Sequence, residues 1–420
     1  VEKGVKIHEE IIAKDLLEGN VMVGAALVDL YAKCGLLLRA QQIHENLSTK
    51  NVVSWSALIS GYVQHGYCEE ALECFTSMQQ AGFSPNAFTY SCILKACGSI
   101  REVVKGRKFH EDIVSKGILR GDIVLGNALV DMYAKCGDLA KAQEVLDELP
   151  ARNIVSWSTV ISGYAQQGHG QDALYCYVQM QNEGIFANAI TCISILKACS
   201  SIRSLDKGKL IHTEILSKGI LNKQIVLGNA LVDMYAKCGA IEKAKRVIDD
   251  LLIRDIVSWN SLISGCSQPG DSEEALKCLG SINREGFFPN AITFTCFLKA
   301  CGSAGAIEKG KQIHTQIMSE ELLAKDLVLH TALVDMYAKC GVLTRAQEVF
   351  DELHVKTIGT WNALISGYAQ QGHGIEAIDC FKRMLGKGLP PDSVTYLCVL
   401  NACCHSGLVS EGQMYYAIIS

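Results

Sequence analysis

Ser54 to Gly66 reads SWSALISGYVQHG, and the spacing within it settles the fold. Trp55, Leu58, Ile59 and Tyr62 fall at i, i+3, i+4 and i+7, which is one apolar stripe along an α-helix. A turn at His65 to Tyr67 follows, and Glu69 to Gly82, EEALECFTSMQQAG, carries a second stripe through Leu72, Cys74, Phe75 and Met78. Gly82 and Pro85 then stop the second helix, because Gly tolerates the left-handed residue beyond a helix end and Pro cannot continue one. Two antiparallel helices result. The motif recurs: Trp55, Trp157, Trp259 and Trp361 are the only tryptophans, each 102 residues after the last.

Other residues keep the same register. YAKCG recurs at Tyr31–Gly35, Tyr133–Gly137, Tyr235–Gly239 and Tyr337–Gly341, and LKAC at Leu94–Cys97, Leu196–Cys199 and Leu298–Cys301, with LNAC at Leu400–Cys403. His8, His110, His212 and His314 follow the step as well. A period of 102 is too long for one helix pair and divides into three units of about 34 residues, the scale of known helical repeats. The three stretches of one triplet are SWSALISGYVQ, FTYSCILKACGSI with VVKGRKFHEDIVSKG, and GNALVDMYAKCG with AKAQEVLDELP.

Carried through the chain, units of 31 residues span 21–51, 123–153, 225–255 and 327–357. Units of 35 span 52–86, 154–188, 256–290 and 358–392, and units of 36 span 87–122, 189–224 and 291–326. Partial long units lie at 1–20 and 393–420, so the sequence reads as a fragment cut inside a repeat at both ends. No single hairpin buries enough surface to stand alone, so stability comes from stacking hairpin on hairpin. The expected fold is all-α, a right-handed superhelical solenoid of about eleven complete hairpins with a continuous concave face.

Composition excludes several classes. No apolar run approaches the 18 or more residues of a membrane span. The 39 basic and 44 acidic residues give a net charge of −5, which does not advertise nucleic-acid binding overall. Of the 19 cysteines, eight belong to the two periodic motifs and none forms Cys-x-x-Cys, so buried or half-buried thiols in a reducing compartment are expected, not disulfides or zinc. Catalysis needs a constellation assembled once, whereas these motifs recur at wide spacing, and the metalloprotease, deaminase, phosphate-loop and serine-elbow patterns are absent. Neither catalytic nor metal-ligating residues nor a cofactor are expected. The periodic histidines lie three hairpins apart and cannot share one ion; they read as helix-surface or inter-hairpin residues.

Repetition suits a polymeric ligand. Small polar residues stand near the start of most first helices: Ser56, Asn127, Ser158, Asn229, Asn260, Thr295, Thr331 and Asn362. They can hydrogen-bond to the edge of an unpaired base, or they can simply cap helices, and sequence chemistry leaves both readings open. A second polar residue closes most units: Asn86, Asp122, Asn153, Asn188, Asp255, Asn290, Asp326 and Asp392. Lys33, Lys95, Lys135, Lys197, Lys237, Lys299 and Lys339 end the first helices, placed to meet phosphates if they face the concavity, or else to form a solvated face. A peptide-gripping solenoid without RNA is the competing reading, favoured by a continuous apolar groove.

SWSALISGYVQHG, LKACGSIREVVKGRKFH and GNALVDMYAKCG together resemble the pentatricopeptide repeat proteins of plants, in the subfamily that alternates standard, long and short repeats. The resemblance covers essentially the whole chain. It implies sequence-specific binding of single-stranded organellar RNA, in a mitochondrion or chloroplast, one nucleotide per hairpin and 5′ to 3′ from the N-terminal end. It also implies organellar RNA processing, with target-site recognition for cytidine-to-uridine editing first and splicing, cleavage or transcript stability as the other roles, deamination coming from a domain beyond this segment or from a separate deaminase or editing cofactor protein, and no membrane.

In this family the fifth and last residues of a unit set base choice. By that scheme Ser56 with Asn86, and Ser158 with Asn188, resemble adenine readers. Asn229 with Asp255, and Asn362 with Asp392, resemble uracil readers, while Asn127 with Asn153 and Asn260 with Asn290 prefer a pyrimidine, cytosine ahead of uracil. Ser91 with Asp122 and Thr295 with Asp326 fit guanine in form, although long repeats of the family discriminate weakly. Ala25 with Asn51, Ile193 with Gln224, and Thr331 with Thr357 depart from the pattern. Of the lysine series, Lys33, Lys135, Lys237 and Lys339, which belong to the YAKCG motifs, are the phosphate candidates.

Overall fold

A computed structural model describes residues 8–11, 20–119, 121–221, 224–266, 272–320 and 326–419. Most of the partial unit expected at 1–20 lies outside these residues, as does Ser420. Among the described residues, twenty-four helices of 10 to 14 residues follow one another and no strand occurs. Within each of two packed units, Val1–Ile202 and Arg203–Ser420, consecutive helices pair into antiparallel hairpins, and the fold is an all-α helical-repeat solenoid.

Local chemistry starts and stops each helix. Asn51, Asn86, Asn153, Asp255, Asn290 and Asp392 are N-caps, each accepting a backbone N–H from the third helical residue through Oδ1. That third residue is Ser54, Thr89, Ser156, Ser258, Thr293 or Thr395, and its hydroxyl lies within hydrogen-bonding reach of the cap's backbone N–H, a reciprocal box in which Ser or Thr replaces the usual Glu. These six hydroxyl residues are fully buried, so the cap also satisfies a polar group the core would otherwise strand. At the other end, Gly137 with φ of +91° closes Ile123–Cys136 in the left-handed conformation that a Cβ disfavours.

Inside either packed unit, successive first helices pack on one another. Val52–Gln64, for example, lies between Val21–Lys33 and Ala87–Ile100, and its own second helix Cys68–Gln80 covers the outer side. Trp55, Leu58 and Ile59 are buried as the stripe predicts, and Tyr62, half-buried, donates its hydroxyl to Gln41 Oε1 at 2.9 Å. The periodic histidines are inter-hairpin residues. Nδ1 of His8, His110, His212 and His314 pairs with the hydroxyl of Tyr31, Tyr133, Tyr235 and Tyr337 at 2.8–3.0 Å. Burial holds each imidazole below its ordinary pKa, so each is a neutral strut.

All 19 cysteines are free thiols. Burial pushes Cys97 and Cys301 up to about 12, which removes the thiolate that disulfide exchange requires. Cys34 and Cys404 are exposed, against the expectation for the set. Cys136 Sγ sits 3.7 Å from the Cys97 carbonyl in the preceding long unit.

The tryptophans are not equivalent. Trp157 Nε1 donates to Glu183 at 2.8 Å and Trp259 Nε1 to Glu285 at 3.0 Å, and each carboxylate is also held by an arginine, Arg152 or Arg254. The residue 26 positions after Trp361 is Lys387, and the buried Trp361 Nε1 has no partner. Lys387→Glu supplies the missing acceptor beside Lys356. A net gain of about 0.5 kcal/mol or more in unfolding free energy is expected, after the cost of a negative charge at a helix C-terminus. Urea titration of the variant checks it, and a loss of stability would mean the indole cannot reach a carboxylate there.

Candidate nucleic-acid interface

The last residue of one unit is the N-cap of the next first helix, which places it beside the fifth residue of its own unit. Asn229 Nδ2 donates to Asp255 Oδ1 at 3.3 Å, Asn362 Nδ2 to Asp392 Oδ1 at 3.1 Å, and Asn127 Nδ2 to Asn153 Oδ1 at 3.5 Å. Where the fifth residue is serine, the buried hydroxyl of the next helix bridges the pair. Ser56 Oγ lies 2.7 Å from Thr89 Oγ1, which donates to Asn86 Oδ1 at 2.8 Å. Ser158, Thr191 and Asn188 repeat this chain at 2.6 and 2.9 Å. Asn260 keeps a buried Oδ1 without a partner while Asn290 receives Thr293.

Of the two readings left open for the fifth residues, capping is the one the structure corrects. Ser56, Asn229, Asn260 and Asn362 sit one turn inside their helices and are at most 8% exposed, and the caps are the last residues. Capping fixes the closing side chain. Its Oδ1 must face the backbone N–H groups, so asparagine turns Nδ2, a donor, away from the helix, and aspartate turns away a second carboxylate oxygen, an acceptor. The Thr395 backbone N–H, with the Thr395 and Asn362 side chains, outweighs desolvation and holds the Asp392 carboxyl below its usual range, hence ionised.

Long units behave differently. Ser91 and Thr295 donate to the carbonyls of Ala87 and Ala291 in their own helices, at 2.9 and 2.8 Å. Asp122 and Asp326 spend Oδ1 on two backbone N–H groups each. The third residue of the following helix is Leu125 or Leu329, fully buried, so no hydroxyl bridges the pair. Thr331 likewise donates to Leu327 O at 2.8 Å.

Lys33, Lys135, Lys237 and Lys339 each close an ion pair of 2.6–2.9 Å with the aspartate four residues earlier. Exposed pairs of this geometry contribute about 0.3–0.5 kcal/mol, too little to hold the ammonium against a phosphate. Gly98 and Gly302 leave room for two of these side chains, since a Cβ there would stand 3.3 Å from Cδ of Lys135 or Lys339. Lys95, Lys197 and Lys299 are exposed and form no ion pair among the described residues.

One feature was missed in the sequence. The second residue of nearly every first helix is a large apolar side chain left 50–66% exposed: Met22, Val53, Phe88, Val124, Val155, Ile190, Val226, Val257, Ile292, Val328 and Val394. Three positions before each fifth residue, these break the polar-out rule and were legible as a periodic violation of it. A groove of about 270 Å³ gathers Lys135, Val155, Ser158, Asn188 and Ile190. Among the described residues no group of three or more His, Cys, Asp or Glu is placed to hold a metal ion, and no helix is long and apolar enough to cross a membrane.

The PPR repeat family matches residues 50–99, 152–201, 254–303 and 356–405, and a second PPR repeat profile matches 127–154, 229–256, 328–358 and 394–417. The chain belongs to the pentatricopeptide repeat family. A mitochondrial pentatricopeptide repeat-containing protein of Arabidopsis thaliana is 36% identical over 99% of this chain and 60% of its own length. A chloroplastic one from the same plant is 36% identical over 96% and 64%. This pentatricopeptide repeat chain therefore spans somewhat under two thirds of those relatives. The solved pentatricopeptide repeat protein PPR10, in complex with an 18-nt psaJ RNA element, superposes with a TM-score of 0.72 at 20% identity, covering 96% of this chain and 61% of that one.

Proposed function

We propose that this pentatricopeptide repeat array reads single-stranded RNA in a mitochondrion or chloroplast, one nucleotide per hairpin. The observation that carries the reading is the caps' division of labour: a closing Asn or Asp gives Oδ1 to the helix and has one group left, a donor in Asn and an acceptor in Asp. The Watson–Crick edges of uracil and guanine carry an imino N–H that a carboxylate oxygen accepts, whereas cytosine and adenine carry a ring-nitrogen acceptor that Nδ2 meets. A fifth-position serine leaves room for a purine, and asparagine fills that room and leaves a pyrimidine. The exposed apolar row gives each base a face to rest on. The structural likeness to PPR10 held on RNA and the organellar relatives support the ligand and the compartment.

From Val52 to Asp392 the order is A, weak G, C or U, A, any, U, C or U, weak G, any, U. The paired units read bases, and the lysines Lys33, Lys135, Lys237 and Lys339, joined by Lys95, Lys197 and Lys299, meet phosphates. Target-site recognition for cytidine-to-uridine editing is the role proposed, with deamination supplied by a separate deaminase or editing cofactor protein. Equilibrium binding at fixed moderate salt tests the ligand class. RNA of the stated order is expected to bind at least about tenfold tighter than the same RNA with both adenines changed, one lost contact being worth about that factor, and tighter than the DNA equivalent. Equal binding of all three would return the array to a peptide-gripping scaffold.

A further inference from the structure

The apolar row is broken once among the units from Val52 to Asp392, at Gly359, which stands where Val53, Val155 and Val257 stand in the other 35-residue units. The space around it changes accordingly. Two triplets earlier, where Val155 is present, the groove encloses about 270 Å³. At Gly359 it measures about 600 Å³ and reaches one repeat further back, so that Thr295 and Lys299 line the same space as Thr331, Asn362 and Val394. A space of this size lies within the range of about 300–1,000 Å³ that takes small ligands.

The chamber is polar where a base would need it to be. Thr295, Thr331, Asn362 and Ser366 line it, and Lys299, exposed and free of any ion pair among the described residues, lines it too. We infer that the Gly359 chamber accepts one supernumerary nucleotide, so that the RNA can carry an extra residue between those read by hairpins 327–357 and 358–392. Lys299 meets the added phosphate. At the other junctions from Val52 to Asp392 the second residue of the first helix is a large apolar side chain that takes up this space. The array thus tolerates two spacings in its target at one defined place. The inference rests on the one-nucleotide-per-hairpin reading.

A nucleotide-insertion series on the RNA of the proposed order tests it. An insertion at the Gly359 junction is compared with one at the junction of 52–86 and 87–122, where an insertion also isolates a single terminal hairpin. The Gly359 insertion is expected to weaken binding by less than about threefold and the other by about tenfold, the worth of one base contact. Gly359→Val should raise the first penalty to about tenfold and leave the uninterrupted RNA bound at least as tightly. The variant folds, because a Cβ at Gly359 meets only Thr357 and Thr331, at 3.7 and 3.9 Å. Equal penalties at both junctions, or tolerance that survives Gly359→Val, would overturn the inference while the uninterrupted RNA still outbinds a reordered one. If it does not outbind a reordered RNA, the hairpin reading fails and this inference with it.

Discussion

Asn153→Asp will move the preference of its hairpin from cytosine to uracil, and Asp255→Asn will move the other from uracil to cytosine. Asn153 Oδ1 is taken by the N–H groups of Val155 and Ser156 at 2.9 and 3.0 Å, which leaves Nδ2 as the free group. Replacing it with aspartate keeps the cap, since the two residues cap about equally well, and exchanges a donor for an acceptor. Cytosine then meets a carboxylate with its own ring-nitrogen lone pair, two acceptors facing each other, and uracil gains the contact cytosine loses. A good base-edge contact discriminates by about 1–3 kcal/mol, so the ratio of the two affinities should swing by about tenfold to a hundredfold at each site.

Each variant is measured against RNAs differing only at the base it faces. Unchanged ratios would sink the assignment of the closing residues as readers, whatever happened to overall affinity. The same exchange in a long unit is a built-in contrast. Asp122→Asn should change selectivity much less, because Ser91 is bound to its own helix and no hydroxyl couples the pair.

How far these relations could be read beforehand depends on whether they are periodic or relational. Helix pairs were legible because every turn of the array repeats the same apolar spacing, and the tryptophan step fixed the register. The two polar series were legible for the same reason. What sequence spacing did not separate is the cap from its neighbour, because Asn and Ser suit either task and only the backbone at Asn86 or Asp255 shows which residue enters the helix. The coupling rule was present in letters but hidden in meaning: Ser or Thr three residues after the closing residue in one class of junction, Leu125 or Leu329 in the other. The pairing of Lys135 with Asp131 is an i, i+4 relation that the motif DMYAK already contains. The unsatisfied Trp361 emerges only when four copies are compared residue by residue.

The stacking itself hangs on a contact too close for any side chain but hydrogen. Gly61 faces Ala32 across two first helices, and a Cβ on Gly61 would stand 2.4 Å from the Ala32 Cβ and 3.2 Å from its Cα. Gly367 repeats this against Ala338 at 2.3 Å. In an isolated helix glycine to alanine is favourable by about 1 kcal/mol. Gly61→Ala should instead destabilise by about 1–3 kcal/mol, since the neighbouring atoms belong to a buried alanine and its backbone and cannot rotate away. Gly280→Ala, in the helix Ser272–Arg284 with nothing within 4 Å of the new Cβ, should stabilise by about 1 kcal/mol. One chemical change with opposite signs at two helical glycines separates packing from propensity. Thermal and urea unfolding followed by tryptophan fluorescence report both, and Ala32→Gly combined with Gly61→Ala should recover much of the loss by returning the space. Stabilisation by Gly61→Ala alone would show that the hairpins can part at that seam at little cost, and the first helices would then not be held at the spacing that aligns the closing residues.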